Sequence, residues 1–315
     1  MNKLKKPLII LTGPTAVGKT ELSIQLAKAV NGEIISADSM QIYKEMNIGS
    51  AKIQPEEMKG VPHYLVDEIE PEEEFNVVRF QTMAKNAMKM IYQKGKIPVI
   101  VGGTGFYIQA LLYDIDFADT TEDFDYRREL EQLAQEKGNE FLHEMLRKVD
   151  PKAAQEIHEN NRKRVIRALE YYRDTGKQIS KHNEQQRQNE SPYQFAYFVL
   201  NRDRRELYRR IDQRVDQMMK QGLLEEVKRL KERGCTSNMV SMKGLGYKEL
   251  LDYLNGMNSL EEAVRIIKRD TRHFAKRQLT WFKREKEVDW IELDGKTEQQ
   301  VLEEIQMICK EKGIL

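Results

Sequence analysis

Residues 13–20 read Gly-Pro-Thr-Ala-Val-Gly-Lys-Thr and match the pattern G-x-x-x-x-G-K-[ST] in full. In this pattern the glycines let backbone N–H groups surround phosphate oxygens, and the following helix N-terminus adds partial positive charge. Lys19 would neutralise anionic oxygens, and the Thr20 hydroxyl can bind Mg²⁺. The motif predicts a site for a diphosphate or a triphosphate. Its residues are Gly13, Pro14, Thr15, Ala16, Val17, Gly18, Lys19 and Thr20.

An acidic residue, Asp38, comes just after the apolar run at residues 33–36. The carboxyl ends of neighbouring parallel strands share one ligand crevice, so we expect Asp38 to lie close to the phosphate loop. Its spacing leaves two roles open. Asp38 could act as a base that takes a proton from a nucleophile, or it could organise Mg²⁺ as the acid of a nucleotidase does.

A second loop, Gly-Gly-Thr-Gly at residues 102–105, follows the apolar run at 97–101. A typical nucleoside triphosphatase carries an Asp at this strand end, and its absence counts against a hydrolytic motor. The glycines predict close approach of a ligand or an extruded base to the backbone, with Thr104 as a hydrogen-bonding group. A Gly-Gly pair also marks ordinary turns, so the loop alone is a weak signal.

Basic side chains are concentrated in three segments. The first is a predicted helix with a cationic face on an apolar stripe of Val165, Leu169 and Tyr172, which suits a phosphate backbone or, alternatively, a solvated surface paired with Glu. The second segment of basic side chains starts at Arg202. The third surrounds Trp281 and Phe282, a mixture typical of nucleic-acid contact or of amphipathic core packing. The cations of the first segment are Arg162, Lys163, Arg164 and Arg167.

These residues require a parallel sheet to position them. Apolar runs at 8–11, 33–36, 64–66 and 97–101 predict buried strands, and helical patterns at 19–30 and 77–92 alternate with them. Residues 117–192 are charged and lack strand patterns, which indicates a helical insertion. A strand at 195–200, long helices and a strand–helix pair at 290–308 then complete the core. The predicted class is α/β, with a P-loop-type parallel sheet core at 1–116 and 193–315 and a helical insertion domain.

Composition limits the classes of partner and compartment. The 52 Lys and Arg residues balance 51 Asp and Glu residues, so a nucleic acid would have to meet a local basic patch. The two cysteines, Cys235 and Cys309, are far apart and lack metal-ligand spacing, as expected in a reducing cytosol. No run of the sequence reaches membrane-spanning length. We therefore expect a cytoplasmic protein with no membrane partner.

Five motifs together resemble the bacterial tRNA dimethylallyltransferases, in family order across nearly the whole chain. Many phosphate-binding proteins share the first motif, whereas the second, combined with the others, is highly specific. The motifs are GPTAVGKT at 13–20, SADSMQIY at 36–43, GGTG at 102–105, RVIRALE at 164–170 and KRQLTWF at 276–282.

The resemblance implies transfer of a dimethylallyl group from dimethylallyl diphosphate to N6 of the adenosine just 3′ of the anticodon. The phosphate loop would then hold the diphosphate of the prenyl donor rather than ATP. Mg²⁺ at Thr20 and a further contact from Arg205 are implied. Asp38 would take the proton of the amine, while Thr20 and its metal ion would assist departure of the diphosphate.

The resemblance also implies that the insertion contacts the anticodon stem of tRNA, and we expect a monomer. Two alternatives to the transferase stay open: a small-molecule kinase that uses ATP, and a nucleotide-dependent RNA-binding switch without catalysis. Prenylation of free adenine nucleotides is a variant that the insertion and the basic helices disfavour. The implied tRNA-binding residues are Asp38, Ser39, Met40, Gln41, Thr104, Arg127, Arg162, Lys163, Arg164, Arg167, Lys243, Gly244, Leu245, Gly246 and Tyr247.

Overall fold

A computed structural model describes residues 5–117, 124–186 and 188–315. Six strands form one sheet in the order β3-β2-β4-β1-β5-β6, and every pairing is parallel. The predicted α/β class is confirmed. The strands are β1 (Lys6–Thr12), β2 (Gly32–Ala37), β3 (His63–Tyr64), β4 (Ile97–Gly102), β5 (Tyr193–Asn201) and β6 (Val288–Glu292).

Most residues of the central strands are apolar, because both faces of the sheet are covered. Residues 8–11 of β1 are at most 1% exposed, and all six residues of β2 are buried. Strands buried on two faces read as continuous apolar runs, which is why the sequence locates them. The accompanying helices are α1 (Lys19–Ala29), α2 (Val77–Gln93), α3 (Gly105–Leu112), α9 (Arg204–Lys220), α10 (Leu223–Glu232), α11 (Tyr247–Leu254), α12 (Leu260–Phe282), α13 (Glu298–Glu311) and a short 3₁₀ helix (Ser241–Lys243).

Two details of the sheet differ from the sequence-based prediction. Strand β4 lies between β1 and β2, so the strand that precedes Asp38 is not a neighbour of the strand that precedes the phosphate loop. Strand β3 ends at Tyr64 instead of continuing to Val66. Leu65 has a φ of 61°, a left-handed conformation that breaks the extended backbone.

The contacts divide the chain into two compact units. The first comprises Met1–Leu112 and Pro192–Leu315, and the second is Tyr113–Ser191, which starts four residues before the predicted insertion and ends one residue before its end. Residues 118–123 lie outside the described residues. The second unit contains α4 (Phe124–Lys137), α5 (Asn139–Val149), α6 (Pro151–Glu156), α7 (Arg162–Thr175) and α8 (Ile179–Gln186).

The second unit has an apolar core of its own, which includes Leu130, Leu146 and Val165. Helix α7 is packed by α4, α5 and α8, so burial extends beyond a single stripe. Tyr171 is 4% exposed, whereas Tyr172, which the sequence assigned to the stripe, is 36% exposed. That assignment was wrong. In the described part of the chain, no helix has the length and apolar character needed to cross a membrane.

Candidate active site

The phosphate loop connects the end of β1 to the start of α1. Gly13 and Gly18 have φ values of 149° and 114°, which favour glycine. A Cβ added at Gly13 would also lie 2.7 Å from the Leu200 carbonyl oxygen. Ala16 adopts a left-handed φ of 63°. The glycines of the motif are therefore fixed by the backbone path and by contact with the end of β5.

Lys19, on the first turn of α1, folds back over this loop. Its Nζ donates to the carbonyl oxygens of Gly13 and Pro14, both at 2.9 Å. Burial and, next, the Arg214 guanidinium lower the pKa of Lys19 to about 7, while Asp38 counteracts them. Burial is the main cause of this shift, and the repulsion between Lys19 and Arg214 adds to it, so a bound anion would favour the charged form of Lys19.

Arginines that follow β5 hold the phosphate loop from its other side. Arg202 Nε donates to the Val17 carbonyl oxygen at 2.9 Å, and Arg210 Nε donates to the Ala16 carbonyl oxygen at 2.9 Å. Their Nη2 atoms lie 3.7 Å and 3.9 Å from the position that a Cβ at Gly18 would occupy. Two guanidinium groups thus stand beside the final glycine of the motif.

Arg205, which the resemblance assigned to the diphosphate, lies elsewhere on α9. Its side chain is exposed, and only its backbone N–H has a described hydrogen bond, to Asp203 Oδ1. At 100° per residue, Arg205 is about 140° around the helix from Arg210, whereas Arg214 is four residues away on the same face. The geometry therefore favours Arg202, Arg210 and Arg214 as the cations of this site.

Asp38 follows β2 and is half-buried. Its Oδ1 accepts a hydrogen bond from the Met40 N–H at 2.8 Å. Asp38 is close enough to Lys19 and Arg214 to interact with both: burial is the main cause that lowers the pKa of each, and the Asp38 charge opposes that effect. The expected proximity of this carboxylate to the phosphate loop is present, although an intervening strand separates β1 from β2.

The second glycine loop, residues 102–105, lies between the phosphate loop and Asp38. Thr12 Oγ1 donates to the Gly102 carbonyl oxygen at 2.6 Å, and the Thr104 N–H donates to the Ala37 carbonyl oxygen at 3.1 Å. A Cβ at Gly102 would lie 2.3 Å from the Ala37 backbone. The loop therefore joins the ends of β1 and β2, and it brings half-buried Thr104 to the same edge of the sheet.

Protein atoms, not a ligand, occupy the space beside the other two glycines. A Cβ would lie 2.2 Å from Gln278 Nε2 at Gly103 and 2.3 Å from the Trp281 ring at Gly105. Gln278 is 6% exposed and so does not belong to a nucleic-acid surface. The expectation that these glycines admit an extruded base was wrong for Gly102, Gly103 and Gly105.

Segment 39–51 has an internal network that the sequence did not reveal. Ser36 Oγ donates to Gln41 Oε1 at 3.1 Å, and Gln41 Nε2 donates to the Ala51 carbonyl oxygen at 3.2 Å. Both polar ends of the Gln41 side chain are therefore engaged in shaping the segment. Ser39 and Met40 beside it are half-buried.

A buried carboxylate holds the far end of that segment. Glu226 is 1% exposed and accepts from the backbone N–H groups of Asn47, Ile48 and Gly49 at 2.9, 2.8 and 3.1 Å. The Tyr247 hydroxyl donates to the same carboxylate at 2.7 Å. No motif flagged Glu226, because three of its four partners are backbone groups 177–179 positions away.

The assigned segment 243–247 is only partly accessible. Lys243 is exposed and Leu245 is half-buried, but Gly244, Gly246 and Tyr247 are buried. A Cβ at Gly244 would lie 2.8 Å from Met40 Sδ. The segment thus packs against the loop that follows Asp38, and the Tyr247 side chain has no surface to offer to RNA.

Helix α12 carries a cationic cavity of about 390 Å³. Its walls combine aromatic and basic side chains, as the sequence indicated for this segment. They are His273, Lys276, Arg277, Thr280, Trp281 and Arg284.

The predicted tRNA-binding residues of the second unit have mixed environments. Arg127 donates to both carboxylate oxygens of Glu170 at 2.8 Å, and Arg162 Nε donates to Asn139 Oδ1 at 3.0 Å. Arg167 is half-buried, whereas Lys163 and Arg164 are exposed on the first turn of α7. That turn contains no acidic residue. Lys163 and Arg164 are therefore the accessible cations of this set.

Among residues 5–117, 124–186 and 188–315, no group of three or more His, Cys, Asp or Glu side chains could hold a metal ion. Mg²⁺ commonly takes one or two protein ligands and completes its octahedron with substrate phosphate oxygens and water. The exposed Thr20 hydroxyl at the start of α1 fits that donor set.

Comparison with known sequences supports the resemblance. The family model described as IPP transferase matches residues 41–285. A tRNA dimethylallyltransferase of Lachnoclostridium phytofermentans is 63% identical over 311 residues, covering 98% of this chain and 99% of the relative. One of Acetivibrio thermocellus is 53% identical over 287 residues, covering 91% and 92%.

Solved structures give the same result. A tRNA isopentenylpyrophosphate transferase of Bacillus halodurans is 44% identical with a TM-score of 0.75, covering 98% of each chain. A eukaryotic dimethylallyltransferase acting on tRNA is 31% identical with a TM-score of 0.85, covering 98% of this chain and 79% of that one. With a phosphate loop facing one carboxylate on a P-loop-type sheet, this chain belongs to the IPP transferase family, the family of the tRNA dimethylallyltransferases.

Proposed function

We propose that this protein transfers a dimethylallyl group from dimethylallyl diphosphate to N6 of the adenosine 3′-adjacent to the anticodon of tRNA, releasing diphosphate. The observation that carries the proposal is the pairing of a cationic phosphate loop with a nearby carboxylate, Asp38. Such a pairing supplies the two things that the transfer needs. One is stabilisation of a departing diphosphate, and the other is a base for the amine.

The cations of the site suit a diphosphate leaving group. Lys19, Arg202, Arg210 and Arg214 converge on the phosphate loop, residues 13–18, which leads into the N-terminus of α1. As the C–O bond breaks, its electron pair moves to the diphosphate oxygen. Fixed positive charges stabilise this developing charge without having to reorganise, usually the largest catalytic contribution.

Asp38 is placed to accept the proton. The Met40 N–H binds Oδ1, and Oδ2 has no hydrogen bond among the described residues. The lone pair of an adenine amine is delocalised into the ring, so the amine is a weak nucleophile. Removal of one N6 proton by Asp38 as the N–C bond forms keeps the product amine neutral and lowers the barrier.

A magnesium ion would be held by the Thr20 hydroxyl together with the oxygens of the bound diphosphate. When bound, it would supply further positive charge to the leaving group. Thr20 would thereby contribute to catalysis through the metal ion, and Lys19 would contribute directly.

The acceptor has to be extruded from its stack to reach Asp38. Thr104 supports this step because it is half-buried at the same strand ends, and its hydroxyl has no hydrogen bond among the described residues. Ser39 and Met40 directly follow Asp38 in the sequence. The proposed contacts to the rest of the tRNA are Lys163, Arg164, Lys243 and the cationic cavity of α12.

The tRNA surface on α7 has its own physical argument. Arg162, Lys163 and Arg164 occupy the helix N-terminus, where the helix dipole disfavours cations and no acidic residue compensates. An RNA phosphate at this position would interact favourably with the dipole and with the side chains. This arrangement supports the second unit as a partner of the anticodon stem.

The test is incubation of the protein with labelled dimethylallyl diphosphate, Mg²⁺ and bulk tRNA, followed by digestion and nucleoside analysis. The expected product is N6-dimethylallyladenosine in tRNA, with diphosphate released in equal amount. A small-molecule kinase would instead consume ATP, and an RNA-binding switch would give no product. Prenylation of free adenine nucleotides but not of tRNA would also contradict the proposal.

A further inference from the structure

We infer that Gln278 is a positioning residue that holds the phosphate loop and the loop of residues 102–105 in a fixed relation to each other. Its Oε1 accepts from the Thr15 N–H at 2.9 Å, and its Nε2 donates to the Gly103 carbonyl oxygen at 3.0 Å. The inference rests on the proposed function, because these two loops would bind the donor and the acceptor base.

Bridging the Thr15 N–H and the Gly103 carbonyl oxygen requires a side-chain amide of the length of glutamine. Thr15 presents a donor and Gly103 presents an acceptor, so the bridging group must accept at one atom and donate at the adjacent one. Glutamate lacks the donor, and methionine lacks both functions. The amide is 6% exposed, so water has little access to replace either bond.

The missing side chain of Gly103 is part of the same arrangement. A Cβ there would lie 2.2 Å from Gln278 Nε2, so the close approach of the amide requires glycine. Three residues further along α12, Trp281 packs against Gly105 in the same way. Helix α12 therefore contacts the loop on both sides of Thr104.

The consequence concerns the reaction geometry. The phosphate loop positions the carbon under attack through its diphosphate, and Thr104 stands on the loop that would face the extruded base. A displacement of about 1 Å between reacting groups can reduce a rate by about a hundredfold. One buried amide that ties both loops to α12 limits that displacement before either substrate binds.

The experiment compares Gln278→Met with Ile267→Met, both well below their melting temperatures. Gln278→Met keeps the length of the side chain and removes both hydrogen bonds. Ile267→Met is a buried substitution on the same helix, outside the site. We expect Gln278→Met to lower kcat at least about tenfold with each KM within about threefold, because positioning acts on the transition state. Ile267→Met should stay within about twofold of wild type.

Hydrogen exchange of the ligand-free proteins gives a second readout. In Gln278→Met, exchange should speed up in both segments, residues 13–18 and 100–106, while Ile267→Met leaves both unchanged. A kcat within twofold of wild type, or faster exchange in one segment alone, would overturn the inference. If the wild-type protein does not prenylate tRNA, the proposed function fails, and the exchange result still decides whether Gln278 links the loops.

Discussion

Asp38 shows how one residue can be located by sequence while its role depends on its surroundings. It follows a buried strand, so its place at the sheet edge was predictable. Its neighbours were not: Lys19 and Arg214 approach it from α1 and α9, and the Met40 N–H fixes its Oδ1. These contacts place two cations beside the carboxylate and fix its orientation.

The first prediction removes only the charge of this group. Asp38→Asn can still accept the Met40 N–H through its amide oxygen, but it cannot take a proton. We expect kcat for tRNA prenylation to fall about a hundredfold or more, with tRNA affinity within about threefold. Single-turnover kinetics and filter binding measure the two quantities. Turnover near the wild-type rate would exclude Asp38 as the base.

Lys19 makes the binding of diphosphate dependent on pH. Its pKa is lowered to about 7, so at pH 8 most of the free protein carries a neutral Lys19. A bound diphosphate favours the charged form and raises this pKa, so binding takes up a proton and weakens as the pH rises above 7. Calorimetry with inorganic diphosphate in buffers of different ionisation enthalpy measures the uptake.

Lys19→Arg is the matched control for that measurement, because arginine stays protonated throughout this range. Proton uptake by the ligand itself is the same for both proteins, so the difference between them belongs to Lys19. Equal uptake by wild type and Lys19→Arg would contradict the assignment.

At the scale of elements, α9 shows what sequence patterns cannot resolve. Six arginines lie at residues 202–214, and the resemblance assigned Arg205 among them to the diphosphate. Helix phase decides among them: Arg210 and Arg214 share the inward face, whereas Arg205 and Arg209 are exposed. Arg202, just before the helix, reaches the loop because β5 is adjacent to β1.

We therefore expect Arg210→Met to weaken binding of inorganic diphosphate about tenfold or more, since it removes both a loop contact and a charge. Arg205→Met should cost less than Arg210→Met. Arg209 is bound to Glu206 on the solvent side of α9, so Arg209→Met serves as the control with wild-type affinity. Calorimetry ranks the three variants, and a larger loss for Arg205→Met would restore the sequence-based assignment.

Helix α7 allows a corresponding test for RNA. Replacing Lys163 and Arg164 by Gln should weaken tRNA binding and reduce the slope of log K against log salt by about 1.5, because each phosphate contact contributes about 0.7–0.9. Arg128→Gln, an exposed cation of α4 that pairs with Asp125, is the control. An unchanged salt slope in the double variant would remove α7 from the RNA surface.

At the scale of the whole molecule, the sequence predicted the class of the fold better than the order of the strands in the sheet. Strands buried on both faces are continuous apolar runs, so all but the short β3 were located well. Apolar runs do not indicate the order of the strands in the sheet, and β4 was therefore not expected between β1 and β2. Glu226 and Gln278 also escaped prediction, because a polar residue on a helix reveals its long-range partners only after folding.

The proposed catalytic groups lie at the carboxyl ends of the strands, and a structural ion cluster lies near the opposite end of the sheet. Glu33, at the start of β2, is 1% exposed and accepts hydrogen bonds from Lys96, Tyr64 and Lys94 at 2.7–2.9 Å. Burial alone would raise its pKa. The hydrogen bonds from Lys96, Tyr64 and Lys94 outweigh that effect and lower the pKa to about 2.

A carboxylate whose pKa is depressed on folding stabilises the protein fully above its unfolded value, about 4.5, and loses that contribution as the pH falls toward 2. We expect Glu33→Gln to lower the free energy of unfolding at pH 7 by about 2 kcal/mol, a value reduced for the solvent exposure of both lysines. The difference from wild type should shrink below pH 4.5. Urea denaturation at pH 7, 5, 4 and 3.5 measures it, and a difference independent of pH would mean that the cluster stabilises the sheet by packing and not by charge.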